Sequence, residues 1–341
     1  MRLRLPERFV NDIGIDLGTA NMLVHVRGRG VVVSEPSIIA LDRRDKSVVA
    51  VGHKAKAMLG RTPEHIEVIR PLKAGVIADF DAAQMLIREI VGSLPGRGLL
   101  RQSRMVIGVP YGVTPVEERA VREAATQAGA QAVYLVQEPM AAAIGAGLPI
   151  HEPGGHVVVD LGGGTTEVAV ISLSGIVLCQ SGKVAGDDLN EAIIQYLKKQ
   201  HNMLVGERRA EEIKLTLGAK RGNGEPQHIE VKGSDVVARV PKVIVITEEE
   251  VREAVQDCIA GIVGTVRSSL ERTPPEIAAD MVDSGIVLTG GGALLTGLDE
   301  IIHKETHLPV TIAQEPLSCV ARGLGALLGD IDLLERVVLR N

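Results

Sequence analysis

Tryptophan is absent from this 341-residue chain, and two phenylalanines and three tyrosines make up its whole aromatic complement. A large core must therefore be built from Val, Ile, Leu and Ala, and stacking on aromatic faces is a poor candidate for ligand binding. The three cysteines, Cys179, Cys258 and Cys319, are odd in number, widely separated and set among apolar or small residues. That pattern excludes a disulfide framework and a cysteine metal site, and predicts buried thiols in a reducing compartment. No block of Lys and Arg occurs, and the formal net charge is -6, which argues against a nucleic-acid partner because phosphate neutralisation needs concentrated cations. No run of roughly 18 apolar residues exists, and Met1 to Pro6 has the positive start of a signal peptide with no apolar stretch after it. The expectation is a cytoplasmic protein that does not cross a membrane.

The chain is long enough for two domains or for one pseudo-symmetric pair, and strand and helix signals alternate along it, as in α/β proteins. Strands are expected at Ile13 to Asp16, Val31 to Ser34, Met105 to Val109, Val133 to Val136, Val157 to Asp160 and Gly285 to Thr289. Pro115 to Ala128 carries apolar residues at helical spacing with Pro at its start and Gly129 at its end. Asp188 to His201 reads as a helix burying Leu189, Ile193, Ile194 and Leu197. The run Thr247-Glu248-Glu249-Glu250 is a capping box that opens a helix reaching about Arg272. Gly218 to Lys242 mixes glycine, charge and short β runs, as a small peripheral subdomain would.

One phrase occurs twice. Ile15-Asp16-Leu17-Gly18-Thr19 and Val159-Asp160-Leu161-Gly162-Gly163-Gly164-Thr165 each follow an apolar run and lead into a second strand-like segment. In the first copy the amides of Gly18, Thr19 and Ala20, the Thr19 hydroxyl and the Asn21 side chain can all donate to phosphate oxygens. An ordinary Asp-x-Gly turn would look similar, but the three glycines of the second copy, followed by Thr165, Thr166 and Glu167, exceed what a turn requires. Two such hairpins facing one another would clamp a polyphosphate. Asp16 and Asp160 would then sit at the carboxyl ends of strands, where ligands bind in open α/β sheets. Hard oxygen ligands beside a polyphosphate suit Mg2+, mainly through water.

Three further places carry chemistry. Glu138 stands where the strand Val133 to Gln137 runs into a helix with Pro139 in its first turn, and a carboxylate there can orient a water toward a terminal phosphate. It can equally favour the positive end of the helix. The cluster Gly290-Gly291-Gly292-Ala293 lies between a strand and a helix expected to begin near Leu294, and would let a base or ribose approach the backbone. Glu211 and Lys214 are three apart on one helical face, the spacing of a solvated ion pair. No G-x-x-x-x-G-K-[ST] occurs, and neither Gly162-x-Gly164 nor Gly290-x-Gly292 has the third glycine of the dinucleotide fingerprint, so a nucleotide would be held by another fold.

The order of these elements resembles the MreB family of bacterial actins. The resemblance rests on Asp16 to Asn21, Glu138 to Gly145, Asp160 to Val170 and Leu288 to Ala293, and runs from about residue 11 to 335. It implies an actin-fold ATPase of the actin, chaperone and sugar-kinase class, with two pseudo-symmetric lobes and a nucleotide cleft between them. The first lobe would comprise residues 1–145 and 321–341 with a small subdomain at about 33–66, and the second 146–320 with one at about 182–245. By matching motifs, Asp16, Gly18, Thr19, Ala20 and Asn21 would form the first phosphate loop, and Asp160, Gly162, Gly163, Gly164 and Thr165 the second. Glu138 and Thr165 would position the attacking water, Glu211 and Lys214 would contact the adenosine, and Gly290, Gly291, Gly292 and Ala293 would line its pocket.

The resemblance further implies Mg2+ with ATP as cofactor and polymerisation of the chain with itself. Filaments would lie on the inner face of the cell membrane, with cell-wall elongation membrane proteins as partners. Family members bind membrane through an N-terminal amphipathic helix or an apolar loop. Pro6 interrupts any helix in Met1 to Val10, whereas Leu99 and Leu100 lie between Arg97 and Arg101. Inserting both leucines would contribute a few kcal/mol at about 25 cal/mol per Å2, with the arginines attracted to anionic lipid; packing under their own loop is the plainer use. Gly218 to Val245 looks shorter and more polar than the family pattern, and Met22 stands where a hydroxyl residue is common. Three other classes share the hairpins. A plasmid-segregating or division-associated actin is the nearest; a small-molecule kinase would need a catalytic aspartate that no segment clearly supplies. A chaperone of this fold would need a further peptide-binding domain, which is not expected here.

Overall fold

The structure is a computed structural model that describes residues 12–94, 103–218 and 228–339. The chain divides into two compact units, one comprising residues 1–154, 171–177 and 317–341 and the other residues 155–170 and 178–316.

The first unit begins with β1 (Ile13–Leu17), every residue of which is buried, followed by β2 (Asn21–Val26) and β3 (Gly30–Pro36). A small antiparallel sheet follows, formed by β4 (Ile39–Asp42), β5 (Val48–Val51) and β6 (Ile66–Ile69), with α1 (Gly52–Met58) between the last two. Next come the short hairpin β7 (Leu72–Lys73) and β8 (Val76–Ile77), and α2 (Phe80–Ser93), whose first turn is capped by Asp79 accepting from the Ala82 amide at 3.0 Å. The unit continues with β9 (Arg104–Val109), α3 (Pro115–Gln127), β10 (Ala132–Gln137) and α4 (Glu138–Gly145). The main sheet has the order β10-β9-β1-β2-β3, with β9 and β10 parallel to β1 and the hairpin strands antiparallel. Met22 is fully buried in its core, so the replacement of a hydroxyl residue there is a packing change behind the turn.

The second unit repeats this plan. The strands β11 (His156–Leu161), β12 (Thr166–Ser172) and β13 (Gly175–Gly182) run consecutively, and the hairpin tip at 171–177 groups with the first unit. Then come α5 (Gly186–His201), β14 (Met203–Leu204), α6 (Glu207–Ile213), a π-helical turn at Lys214–Gly218, β15 (His228–Asp235) and β16 (Pro241–Thr247). The long α7 (Glu248–Glu271) opens on the expected capping box: the Glu250 amide donates to Thr247 Oγ1 at 3.3 Å while the Thr247 amide donates to Glu250 Oε2 at 2.9 Å. It is followed by α8 (Pro275–Ser284), β17 (Ile286–Thr289), α9 (Leu298–Thr306) and β18 (Val310–Ile312). The main sheet has the order β13-β12-β11-β17-β18, with β17 parallel to β11 and β18 parallel to β17. Both units therefore place one hairpin on one side of a first strand and two parallel strands on the other. That shared topology is the structural counterpart of the repeated Asp-Leu-Gly phrase.

The chain returns to the first unit in α10 (Cys319–Leu327) and α11 (Ile331–Val337). Helix α10 crosses α4 at glycines, because a Cβ on Gly145 would collide with the Cys319 carbonyl and one on Gly323 with the Ala141 carbonyl. The helix that begins with Glu138 is thereby packed backbone against backbone.

Two expectations need correction here. The Gly290 cluster does not lead into a helix at Leu294: Gly291–Leu294 forms one 3-10 turn, Leu295 is extended, and α9 starts at Leu298 after Gly297 with φ +78°. Successive glycines carry a large entropy cost in a helix, and the left-handed Gly297 delays its start. Cys319 is buried as expected, but Cys179 and Cys258 are half-buried; all three thiols are free. Among the described residues, no helix is long and apolar enough to cross a membrane. Leu99 and Leu100, singled out for membrane contact, lie outside the described residues.

Candidate functional site

In the first unit, Asp16 is the fourth residue of β1 and pairs in register with Gly108 of β9, which itself pairs with Val136 of β10. Asp16 on β1 and Glu138, which opens α4 directly after β10, are thus brought to the same end of one sheet, on either side of β9. Neighbouring strands lie about 4.8 Å apart, so the two carboxyls serve the same sheet end from positions two strands apart. Both are buried. Gly108 keeps room for the second, since a Cβ there would lie 3.3 Å from Glu138 Cγ.

The turn after Asp16 is shaped by contacts that the sequence alone did not reveal. A Cβ at Gly18 would lie 2.7 Å from the Asn21 carbonyl, so glycine is needed for the turn to close. Ser37 Oγ donates to the Gly18 carbonyl at 2.6 Å, and the Ser37 amide donates to the Ala20 carbonyl at 3.0 Å. The Gly75 amide, in the β7–β8 hairpin, donates to Thr19 Oγ1 at 2.9 Å. The Thr19 hydroxyl oxygen thus accepts from the protein while its proton remains available to donate. Thr19 is buried, and Ala20 and Asn21 are half-buried.

In the second unit, Asp160 pairs in register with Thr289 of β17, and Thr289 Oγ1 donates to Asp160 Oδ1 at 2.8 Å. Burial pushes the Asp160 carboxyl up to about 6, with the Thr289 hydrogen bond pulling the other way. The glycine turn that follows is closed by the Gly162 amide donating to the Thr165 carbonyl at 2.9 Å, which leaves Gly163 and Gly164 at its tip. It is also docked on the start of α5: the Gly186 amide donates to the Gly162 carbonyl at 3.2 Å and the Asp187 amide to the Gly163 carbonyl at 2.8 Å. Lys214 Nζ donates in turn to the Gly186 carbonyl at 2.7 Å.

Glu211 lies in α6, which ends at Ile213; Lys214 caps it with φ -54° and ψ -48°, its amide donating to the Ala210 carbonyl, and opens the π-helical turn. Gly290 has φ +76° and a Cβ there would strike the Leu161 carbonyl, while its amide donates to the Pro316 carbonyl at 2.9 Å. With Gly291, Gly292 and buried Ala293 it forms a tight backbone corner beside Asp160.

Among the described residues there is no cluster of three or more His, Cys, Asp or Glu able to hold a metal ion. A cation here would need oxygen ligands from a bound phosphate or from water. Asp160 fits that role: a buried carboxyl whose ionisation is penalised is one that a nearby divalent cation would hold in its charged form.

Comparison with known proteins agrees with this reading. Residues 10–336 match the family described as MreB/Mbl protein. The cell shape-determining protein Mbl of Bacillus subtilis (strain 168) is 46% identical over 328 residues, covering 96% of this chain and 98% of the relative. The cell shape-determining protein MreB of Escherichia coli (strain K12) is 49% identical over 331 residues, covering 95% of each. The crystal structure of MreB 5 of Spiroplasma citri bound to AMPPNP superposes with a TM-score of 0.90 at 36% identity, covering 96% of this chain and 98% of that one. The actin-like α/β fold expected from the sequence is the fold of this chain.

Proposed function

This chain belongs to the MreB/Mbl protein family, and on that premise we propose that it is an ATP-hydrolysing bacterial actin. Its Mg-ATP-dependent filaments would lie on the inner face of the cell membrane and organise cell-wall synthesis and rod shape. The observation that carries the reading is the pair of matching turns. Each of two units with the same sheet topology carries a buried aspartate one residue before the end of its first strand and follows that strand with a glycine-containing turn, the kind of turn whose unpaired amides suit an anion. A relative solved with AMPPNP supports ATP as the ligand.

In this reading Gly18, Thr19, Ala20 and Asn21 donate to phosphate oxygens, as do Gly163, Gly164 and Thr165, while the Gly162 amide closes the second turn on the Thr165 carbonyl. Glu211 and Lys214 contact the adenosine, and Gly290 to Ala293 line its pocket. Asp16 and Asp160 hold Mg2+ through water. The ion, when bound with ATP, neutralises charge on the phosphates during transfer. Glu138, at the start of α4, orients the attacking water with Thr165 and accepts its proton; general base catalysis of this kind contributes about 100- to 10,000-fold. The wild-type chain should therefore release phosphate from Mg-ATP without any added acceptor, and Glu138→Ala or Asp160→Ala should abolish release. A protein that consumed ATP only when a sugar or an organic acid was supplied, and never pelleted, would be a kinase instead.

A further inference from the structure

The two units have the same topology but differ beside their aspartates. On the strand parallel to the first, the position in register with Asp16 is Gly108, which brings no side chain, and the position in register with Asp160 is Thr289. The first unit closes its sheet with glycine there, so the fold does not itself demand a hydroxyl. Thr289 is nevertheless fully buried, and its hydroxyl is spent on the carboxylate: Oγ1 lies 2.8 Å from Asp160 Oδ1 and 3.4 Å from the Val159 carbonyl. A hydroxyl has one proton, and the shorter contact to the charged acceptor takes it.

The neighbouring glycine guards the same oxygen. A Cβ at Gly290 would lie 2.9 Å from Asp160 Oδ1, so one face of Oδ1 is held by Thr289 and another is kept clear by Gly290. Fixing Oδ1 leaves Oδ2 as the oxygen free to turn toward a cation or its water, which is how an outer hydrogen bond orients a metal-binding carboxylate.

We infer that Thr289 is a positioning residue for the Mg2+-binding function of Asp160, holding one carboxylate oxygen so that the other meets the hydrated ion. This inference rests on the ATPase reading above. An apolar residue of similar size, such as valine, would fill the space without supplying the donor. Serine would supply the donor with a smaller side chain.

The test is thermal unfolding of the full chain with ATP plus EDTA and with ATP plus Mg2+, alongside phosphate release across a Mg2+ series. Wild type is compared with Thr289→Val and Thr289→Ser. Thr289→Val should keep the rise in melting temperature produced by metal-free ATP and lose most of the further rise produced by Mg2+. Its half-saturating Mg2+ concentration should increase about tenfold, the usual scale for losing a hydrogen bond to a charged group. Thr289→Ser should restore both. A valine variant with the full Mg2+-dependent rise and an unchanged Mg2+ series overturns the inference while leaving the ATPase reading intact. A valine variant that also loses the metal-free ATP response, or a serine variant that restores nothing, overturns it by making the hydroxyl structural. If the wild-type chain responds to neither form of ATP, the ATPase reading falls and the inference falls with it.

Discussion

Asp160 shows how a single side chain can oppose folding and still be kept. Its carboxyl is raised to about 6 by burial, against roughly 3.9 for an exposed aspartate. The folded state therefore binds a proton that the unfolded state releases between those values. Stability from this group is complete below about pH 4, declines as pH rises through 6 and is absent at pH 7.5. The nucleotide-free Asp160→Asn variant should consequently be more stable than wild type at pH 7.5, by up to about 3 kcal/mol, with the advantage vanishing near pH 4. Melting temperatures at the two pH values check this, and equal differences at both would remove the burial argument. The same variant should fail to turn over Mg-ATP. The aspartates and glycines of both turns were legible in the sequence because a repeated motif needs no knowledge of distant contacts. Ser37, Gly75 and Thr289 were not singled out, because each acts on the turns through hydrogen bonds across 19, 56 and 129 positions of chain.

At the level of elements, the docking of the second glycine turn on α5 gives Lys214 a use beyond its proposed nucleoside contact. Its ammonium holds the Gly186 carbonyl, Gly186 and Asp187 hold the carbonyls of Gly162 and Gly163, and the turn is thereby tied to the helix after β13. Lys214→Met should weaken ATP binding about tenfold, and because its bond to the Gly186 carbonyl is already made without nucleotide, at about 1.5–3 kcal/mol for a hydrogen bond with a charged partner, it should also lower the melting temperature of the nucleotide-free protein by a few degrees. Equilibrium binding of a fluorescent ATP analogue measures this; unchanged affinity would mean that the turn holds its shape without the lysine. Helix caps and strand ends were readable from sequence because they are set within a few residues, as the box at Thr247 shows. The π-helical turn at Lys214 and the break before α9 were not. They depend on how Gly218 and Leu295 are held by the surrounding core: the Thr296 amide donates to the Gly218 carbonyl at 2.8 Å, a pairing no local pattern announces.

For the whole molecule, the repeated topology of the two units explains why one short phrase carried so much of the reading. A duplicated hairpin with parallel strands beside it places equivalent aspartates at equivalent strand ends. In the proposed function, membrane attachment would depend on number: one weak site per subunit becomes firm when a filament presents many together. The Leu99→Ser, Leu100→Ser double variant should still assemble with ATP but lose most of its co-sedimentation with anionic liposomes, and unchanged binding would take that loop out of the account. The central claim, that this chain is an ATP-driven filament protein that assembles on membrane, is met most directly by electron microscopy of the purified protein on an anionic lipid monolayer with Mg-ATP. Ordered filaments that require ATP and vanish in Asp160→Ala are the predicted result; a monolayer bearing only dispersed particles, with wild-type protein and Mg-ATP in excess, would contradict it.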